Sequence, residues 1–154
     1  VALPANHPLA TRTTISAEEL KRETMLLLGT GHCFRDHVLE VCPEFARFSS
    51  NAEGIRKSFE GSSLETIKHM VAAGMGITLV PRLSVPDLKP ITRRSASSDQ
   101  LPVRYIPVVD AQGGPPPTRR VVLAWRRSFT RYEAIAALRN AIYACALPGV
   151  TRLC

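Results

Sequence analysis

Several common protein classes are excluded by what this chain does not contain. No apolar run reaches the roughly 18 residues of a membrane-spanning helix, so no span is expected. Aromatic residues are only 6% of the total, and they form no stacking run of the kind that holds single-stranded nucleic acid. There is no helix-turn-helix pattern and no zinc-finger spacing. Gly29-Thr30-Gly31 lacks the Lys-Ser/Thr of a P-loop and the third Gly of a dinucleotide fingerprint, which removes the phosphate-loop reading. The chain opens at Val1 without Met or a targeting segment. The expectation is a soluble, cytoplasmic piece of a longer protein, with no membrane partner.

The remaining composition is that of a globular domain. Hydrophobic residues make up 45% of 154, enough for a real core in one domain or a part of one. The net charge is +7. The cations are scattered, with Arg-Arg doublets at Arg93-Arg94, Arg119-Arg120 and Arg126-Arg127, which reads as solvated surface rather than a nucleic-acid stripe. Four cysteines without a secretory leader point to a reducing compartment, where a disulfide is more often a sensor than a staple.

Two of those cysteines define the most informative stretch, Gly31-His32-Cys33-Phe34-Arg35-Asp36-His37-Val38-Leu39-Glu40-Val41-Cys42. Phe34, Val38 and Val41 fall at i, i+4 and i+7, the apolar stripe of an amphipathic helix, with Arg35, Asp36 and Glu40 away from it. Cys33 would begin the helix and Cys42 would stand at its far end. Nine helical steps rise roughly 13–14 Å and turn the two side chains to opposite faces. A disulfide needs its Cα atoms within about 7 Å, so helix and disulfide exclude each other. The stretch reads as a two-state element, helical when reduced and looped when oxidised. Cys33, at a helix N-terminus beside His32 and Arg35, has the surroundings of a reactive thiol. Cys42, between Val41 and Pro43 and near Glu40, suits a resolving partner. The residues alone leave open that both are ordinary buried thiols.

Three blocks carry a family resemblance. Gly-His-Cys-x-Arg-Asp with a second Cys nine residues after the first is the most specific. Ser63-Leu64-Glu65-Thr66-Ile67, Met70-Val71-Ala72-Ala73-Gly74 and Gly76-Ile77-Thr78-Leu79-Val80-Pro81 form the second, and Arg119 to Arg127 with Trp125 the third. From about Val1 to about Cys145 the chain resembles the peroxide-sensing members of the LysR-type transcriptional regulators. The resemblance implies an α/β fold like a periplasmic binding protein, two subdomains joined by crossing strands. Residues 1–118 would be mainly the second subdomain, 119–147 the strand and helix returning to the first, and 148–154 a tail. The DNA-binding helix-turn-helix would lie outside the chain.

The pattern along the chain agrees with α/β. Ser16-x-x-Glu19 is a capping box, Thr24 to Leu28 a buried strand, and Gly29-Thr30-Gly31 the turn into the cysteine helix. Residues 44–54 read as a flexible excursion and Ile55 to Phe59 as a weak strand. Ser62 or Ser63 caps a helix bearing Leu64, Ile67 and Val71, stopped at Gly74. Strands are expected at Ile77–Val80, Val103–Val109 and Val121–Trp125, and loop at 82–100. Thr130-x-x-Glu133 caps a final helix ended by Pro148-Gly149, with Cys145 in its core and an apolar patch left exposed. His69 reads as a surface or packing residue.

The resemblance also implies a chemistry. Hydrogen peroxide oxidises the Cys33 thiolate to a sulfenic acid, and Cys42 condenses with it to a disulfide. The intervening helix rearranges and passes the change to a homo-oligomer (dimer or tetramer), to DNA and to RNA polymerase. Thiol reductants reset it. His32 would orient or polarise peroxide, Arg35 and Asp36 would hold the reduced geometry, and Arg119 stands where the family has an arginine near the site. Thr30 and Ser63 are candidate cleft residues, although Ser63 also reads as a plain cap. A sensor needs one oxidation per signal, and no peroxidase motif is visible, so no enzyme, cofactor or metal is expected. Two rivals remain: a LysR-type domain that binds a small metabolite, and a zinc or copper module using Cys33 and His37 with Cys42 or His32.

Overall fold

A computed structural model describes residues 1–48, 58–86 and 103–153 of the chain. In order, the elements are β1 (Ala2–Pro4), β2 (Ile15–Ser16), α1 (Ala17–Leu20), β3 (Met25–Leu28), α2 (Cys33–Val41), α3 (Glu44–Phe48), β4 (Ser58–Gly61), α4 (Leu64–Ala72), β5 (Val103–Tyr105), β6 (Val108–Val109) and α5 (Tyr132–Ala144). Two compact units contain them. One comprises Val1–Val80 with Asp87–Thr118, the other Pro81–Pro86 with Arg119–Cys154.

β3 is the axis of the first unit. Its residues Met25, Leu26, Leu27 and Leu28 are all buried, as expected of a strand covered on both faces. Side chains alternate along it. Met25 and Leu27 join the cluster of Leu20, Val38, Cys42 and Phe45, whereas Leu26 and Leu28 join Ile67 and Val71. The cysteine helix α2 therefore covers one face of β3 and α4 the other. β4 runs parallel to β3, with Leu28 opposite Gly61, and β1 pairs antiparallel with β5.

The expected strand at Ile77–Val80 contributes only two isolated bridges, Met25 to Ile77 and Ala2 to Thr78. These residues join β1 to β3: Leu26 N–H donates to Ile77 O at 2.8 Å and Ala2 N–H to Thr78 O at 2.8 Å. The buried Thr78 hydroxyl donates to Leu26 O at 2.7 Å, so its polar group is satisfied.

The Ser16 capping box forms: the Ser16 N–H donates to Glu19 Oε2 at 2.9 Å and its hydroxyl to the same oxygen at 3.1 Å. Other expectations need correction. Val103–Val109 is two strands, since Ile106 and Pro107 separate β5 from β6, and Pro107 has no N–H to give a ladder. The excursion expected from Glu44 begins instead as α3, which Phe45 anchors by burying its ring completely. The rest of that stretch, and residues 55–57 of the weak strand, lie outside the described residues. So does most of the 82–100 loop; of it, Arg82–Ser84 forms one 3-10 turn.

In the second unit Val121–Trp125 is not a strand. Val121 and Val122 are strongly exposed, and no described segment pairs with them; a β-rich composition without a partner edge makes no ladder. The Thr130-x-x-Glu133 box does not form either. Arg131 is the N-cap of α5, with no side-chain cap bond. α5 ends at Ala144, earlier than Pro148-Gly149, and Cys145 is exposed rather than in a core, its thiol 3.2 Å from Ala141 O. The expected apolar patch is present: Tyr132, Leu138, Ile142 and Tyr143 are all exposed on α5. No helix among the described residues is long and apolar enough to cross a membrane.

Candidate functional site

Two parallel strands each run into a helix N-terminus at the same edge of the sheet. β3 leads through Gly29-Thr30-Gly31 to α2, and β4 leads through Ser62 and Ser63 to α4. The Gly29 N–H donates to Gly61 O at 3.1 Å, which sets the two turns side by side. Gly31 turns the chain with φ +94°, a conformation that costs glycine nothing and a side chain considerably more. Thr30 and Ser63 are exposed on these adjacent turns. Ser63 caps α4: its Oγ accepts from Thr66 N–H at 3.1 Å and lies 2.9 Å from Thr66 Oγ1. His69, further along α4, is exposed.

α2 carries the two thiols at its ends. His32 is its N-cap, exposed and extended, without a side-chain cap bond. Cys33 is the first helical residue, and its thiol is free and exposed among the N–H groups of the first turn. Those groups lack intrahelical acceptors and favour an anion. Asp36 is exposed on the same turn. Cys42 is the C-cap, free and wholly buried, its N–H donating to Val38 O at 2.9 Å. Burial pushes its thiol up to about 12; the Glu44 carboxylate adds to that, and the Lys21 ammonium opposes it. At neutral pH Cys42 therefore holds its proton. The nine helical steps between the thiols span about 13–14 Å.

The buried face of α2 differs from the predicted stripe. Val38 is in the core and Phe34 and Val41 are partly buried, but the face centres on Arg35, Val38 and Cys42. Arg35 is not the surface cation the stripe implied. It is 7% exposed, and its Nη1 donates to Leu28 O at 2.8 Å and to Glu60 Oε1 at 2.8 Å. A guanidinium can be buried when it finds acceptors for its donors, and the end of β3 and the side of β4 supply them. Sequence reasoning missed Glu60 entirely. Only the parallel pairing of β3 with β4 brings it to Arg35, and nothing local in the sequence signals that.

Arg119 is exposed and belongs to the second unit. His37 is half-buried, with Nδ1 lacking a hydrogen-bond partner. Among the described residues no three His, Cys, Asp or Glu side chains are placed to hold a metal ion. Cys154 lies outside the described residues.

A strand–turn–helix frame with two helix N-termini at one sheet edge is a ligand-facing arrangement of α/β domains. The family model for the LysR substrate-binding domain matches residues 1–145, and the chain belongs to that family, with its periplasmic-binding-protein-like fold. Within it the chain is similar to particular regulators. The hydrogen peroxide-inducible genes activator of Pectobacterium carotovorum subsp. carotovorum is 36% identical over 139 residues, covering 88% of this chain and 40% of that protein. The DNA-binding transcriptional dual regulator OxyR of Escherichia coli K12 is 35% identical over 139 residues, covering 88% and 39%. Among solved structures, the reduced form of OxyR from N. meningitidis superposes with a TM-score of 0.77 at 34% identity, covering 99% of this chain and 64% of that one. The reduced OxyR regulatory domain from Pseudomonas aeruginosa gives 0.66 at 36%, covering 94% and 60%. The chain spans about 40% of the length of the curated relatives it matches.

Proposed function

We infer that this chain is the redox-sensing regulatory part of a LysR-type transcriptional activator, and that hydrogen peroxide is its signal. One observation carries the reading: two free thiols stand at opposite ends of a single helix, one exposed at its N-terminus and one sealed in the core. The similarity to peroxide-inducible activators supports it.

The Cys33 thiolate attacks one peroxide oxygen. The O–O bond breaks, hydroxide leaves and takes a proton to become water, and Cys33 is oxidised to the sulfenic acid. The Cys42 sulfur then attacks the Cys33 sulfur. The S–O bond breaks, a second water leaves, and a disulfide remains. Two electrons and two protons from a dithiol reductant reverse it. His32 beside the thiol serves to orient or polarise peroxide. Arg35 holds the start of α2 to the sheet, Asp36 contributes to the geometry of the same turn, and Thr30 and Ser63 border the approach. Arg119 is kept in this reading by family position alone.

Residues 1–118 form the second regulatory subdomain, and 119–147 return to a first subdomain contributed by sequence outside this chain. A homo-oligomer relays the change to DNA through a separate helix-turn-helix domain and to RNA polymerase, in the cytoplasm. The role is that of a stoichiometric sensor rather than an enzyme.

The test is mass spectrometry of each cysteine after a sub-stoichiometric pulse of peroxide. Cys33 should be oxidised first and then found joined to Cys42. Cys33→Ser should abolish the response, and Cys42→Ser should accumulate sulfenic and then sulfinic acid at Cys33. Equal peroxide consumption by Cys33→Ser and the parent would remove Cys33 as the attacker. A metabolite-binding domain with incidental thiols would show no preference for the Cys33–Cys42 pair.

A further inference from the structure

Arg35 ties the first turn of α2 to two strands at once. It stands two residues after Cys33, it is the one charged side chain buried among the described residues, and its Nη1 reaches both Leu28 O and Glu60 Oε1 at 2.8 Å. We propose that the Arg35–Glu60 pair is a latch that sets the reduction potential of the Cys33–Cys42 couple, with Glu60 as a positioning residue for the switch. This rests on the redox reading above.

The argument is one of geometry and linkage. The thiols are separated by the length of α2, so a disulfide requires one end of the helix to leave its place. The C-terminal end is held by Val38, Cys42 and Phe45, all within one core cluster. The N-terminal end carries exposed Cys33 and is held by Arg35. Glu60 keeps about half of its side-chain surface in solvent, 48%, and rehydrates readily when the pair parts. Releasing the N-terminal turn is therefore the easier route: it gives up the two Arg35 contacts and the partly buried Phe34, and leaves the fully buried Cys42 and Phe45 in place. Turning Cys33 inward withdraws Arg35 from both acceptors, because only one residue separates them in the chain. Whatever the latch contributes to the reduced state is then lost in the oxidised state, and the potential must register it.

The test is a redox titration of the protein in reduced and oxidised dithiothreitol, with Cys33 and Cys42 followed by alkylation and peptide mass mapping. E60Q removes the charge but keeps an acceptor at a half-exposed position. It should move the equilibrium about tenfold toward the disulfide, ~30 mV for this two-electron couple. R35K keeps the charge but lacks the planar fork that serves two acceptors, and it should shift the equilibrium the same way. Urea unfolding of E60Q should show lower stability than the parent in the reduced protein and parent-like stability in the oxidised protein. An unchanged midpoint in E60Q, with the parent forming its disulfide normally, overturns the latch. Equal loss of stability in both redox states also overturns it, leaving a merely structural ion pair. A parent that never joins Cys33 to Cys42 overturns the redox reading itself, and the latch with it.

Discussion

Cys42 should make the folded protein sensitive to alkali in a defined window. Its thiol is pushed from 9.0 to about 12, chiefly by burial and then by the Glu44 carboxylate. The folded state thus holds this proton more tightly than the unfolded chain does. The stabilisation is fully present below about pH 9, erodes as pH rises, and is gone once pH passes about 12. Three units at about 1.36 kcal/mol each set a ceiling of about 4 kcal/mol. Relaxation of the helix end and water penetration on ionisation bring this to about 2 kcal/mol. By pH 10.5 roughly 1 kcal/mol should have been lost. The assay is urea unfolding at pH 8 and pH 10.5 of two proteins, Cys33→Ser and Cys33→Ser with Cys42→Ala, so that no disulfide intervenes. The alanine variant starts about 1 kcal/mol weaker from lost packing but lacks the titration, so the gap between the two should close as pH rises. In the unsubstituted protein at pH 8, iodoacetamide should label Cys33 freely and Cys42 only at the rate of helix opening. Parallel loss of stability in the two variants would refute the buried-thiol argument.

His32→Ala should slow Cys33 oxidation roughly tenfold without preventing the disulfide, since a positioned imidazole assists proton transfer but is not the nucleophile; stopped-flow peroxide consumption measures it, and an unchanged rate reduces His32 to an ordinary cap. Gly76→Ala should destabilise the fold by about 1–3 kcal/mol, because the new Cβ would sit 2.5 Å from Thr24 O. That oxygen accepts the Ile77 N–H at 2.9 Å and cannot retreat without loosening the junction between β1 and β3, so urea midpoints should fall while the Cys33 oxidation rate in the folded protein holds.

What could be read in the chain was local. The spacing of Phe34, Val38 and Val41 gave a helix over the cysteine stretch, and α2 runs from Cys33 to Val41. The Ser16 box and the Ser63 cap each bond within a few residues of themselves, so their signals survive into the structure. Most of the misses have non-local causes. Arg35 is buried because Glu60 and Leu28 O arrive from neighbouring strands, and the stripe pattern treats every arginine as solvated. Val121–Trp125 has the composition of a strand, but pairing depends on an edge the sequence does not describe. Thr130 and Glu133 have the spacing of a box, yet the first turn of α5 starts one residue later, at Tyr132, with Arg131 as its cap. Of the candidate site, the thiols and their order along the helix were legible. The partner that fixes the helix to the sheet was not.

A sensor thiol pair must also be resettable, and the packing of α2 bears on that directly. If the disulfide cost nothing in packing, it would resemble a structural bond, with a potential below about −300 mV and little tendency to be reduced by glutathione. In the proposed switch, closing Cys33 onto Cys42 unwinds the start of α2, and the partly buried Phe34 lies in the segment that must move, with buried Val38 one turn further on. Exposing one or two such side chains costs about 1.5–3 kcal/mol each. At 1.4 kcal/mol per 30 mV, that raises the potential by about 30–130 mV, to between roughly −270 and −170 mV. This range overlaps the cytosolic glutathione poise of about −220 to −260 mV. The apolar contacts that hold the reduced helix would therefore also make the oxidised form reversible. A core richer in buried apolar area along α2 would give a sensor harder to oxidise, and a poorer one would give a bond harder to break.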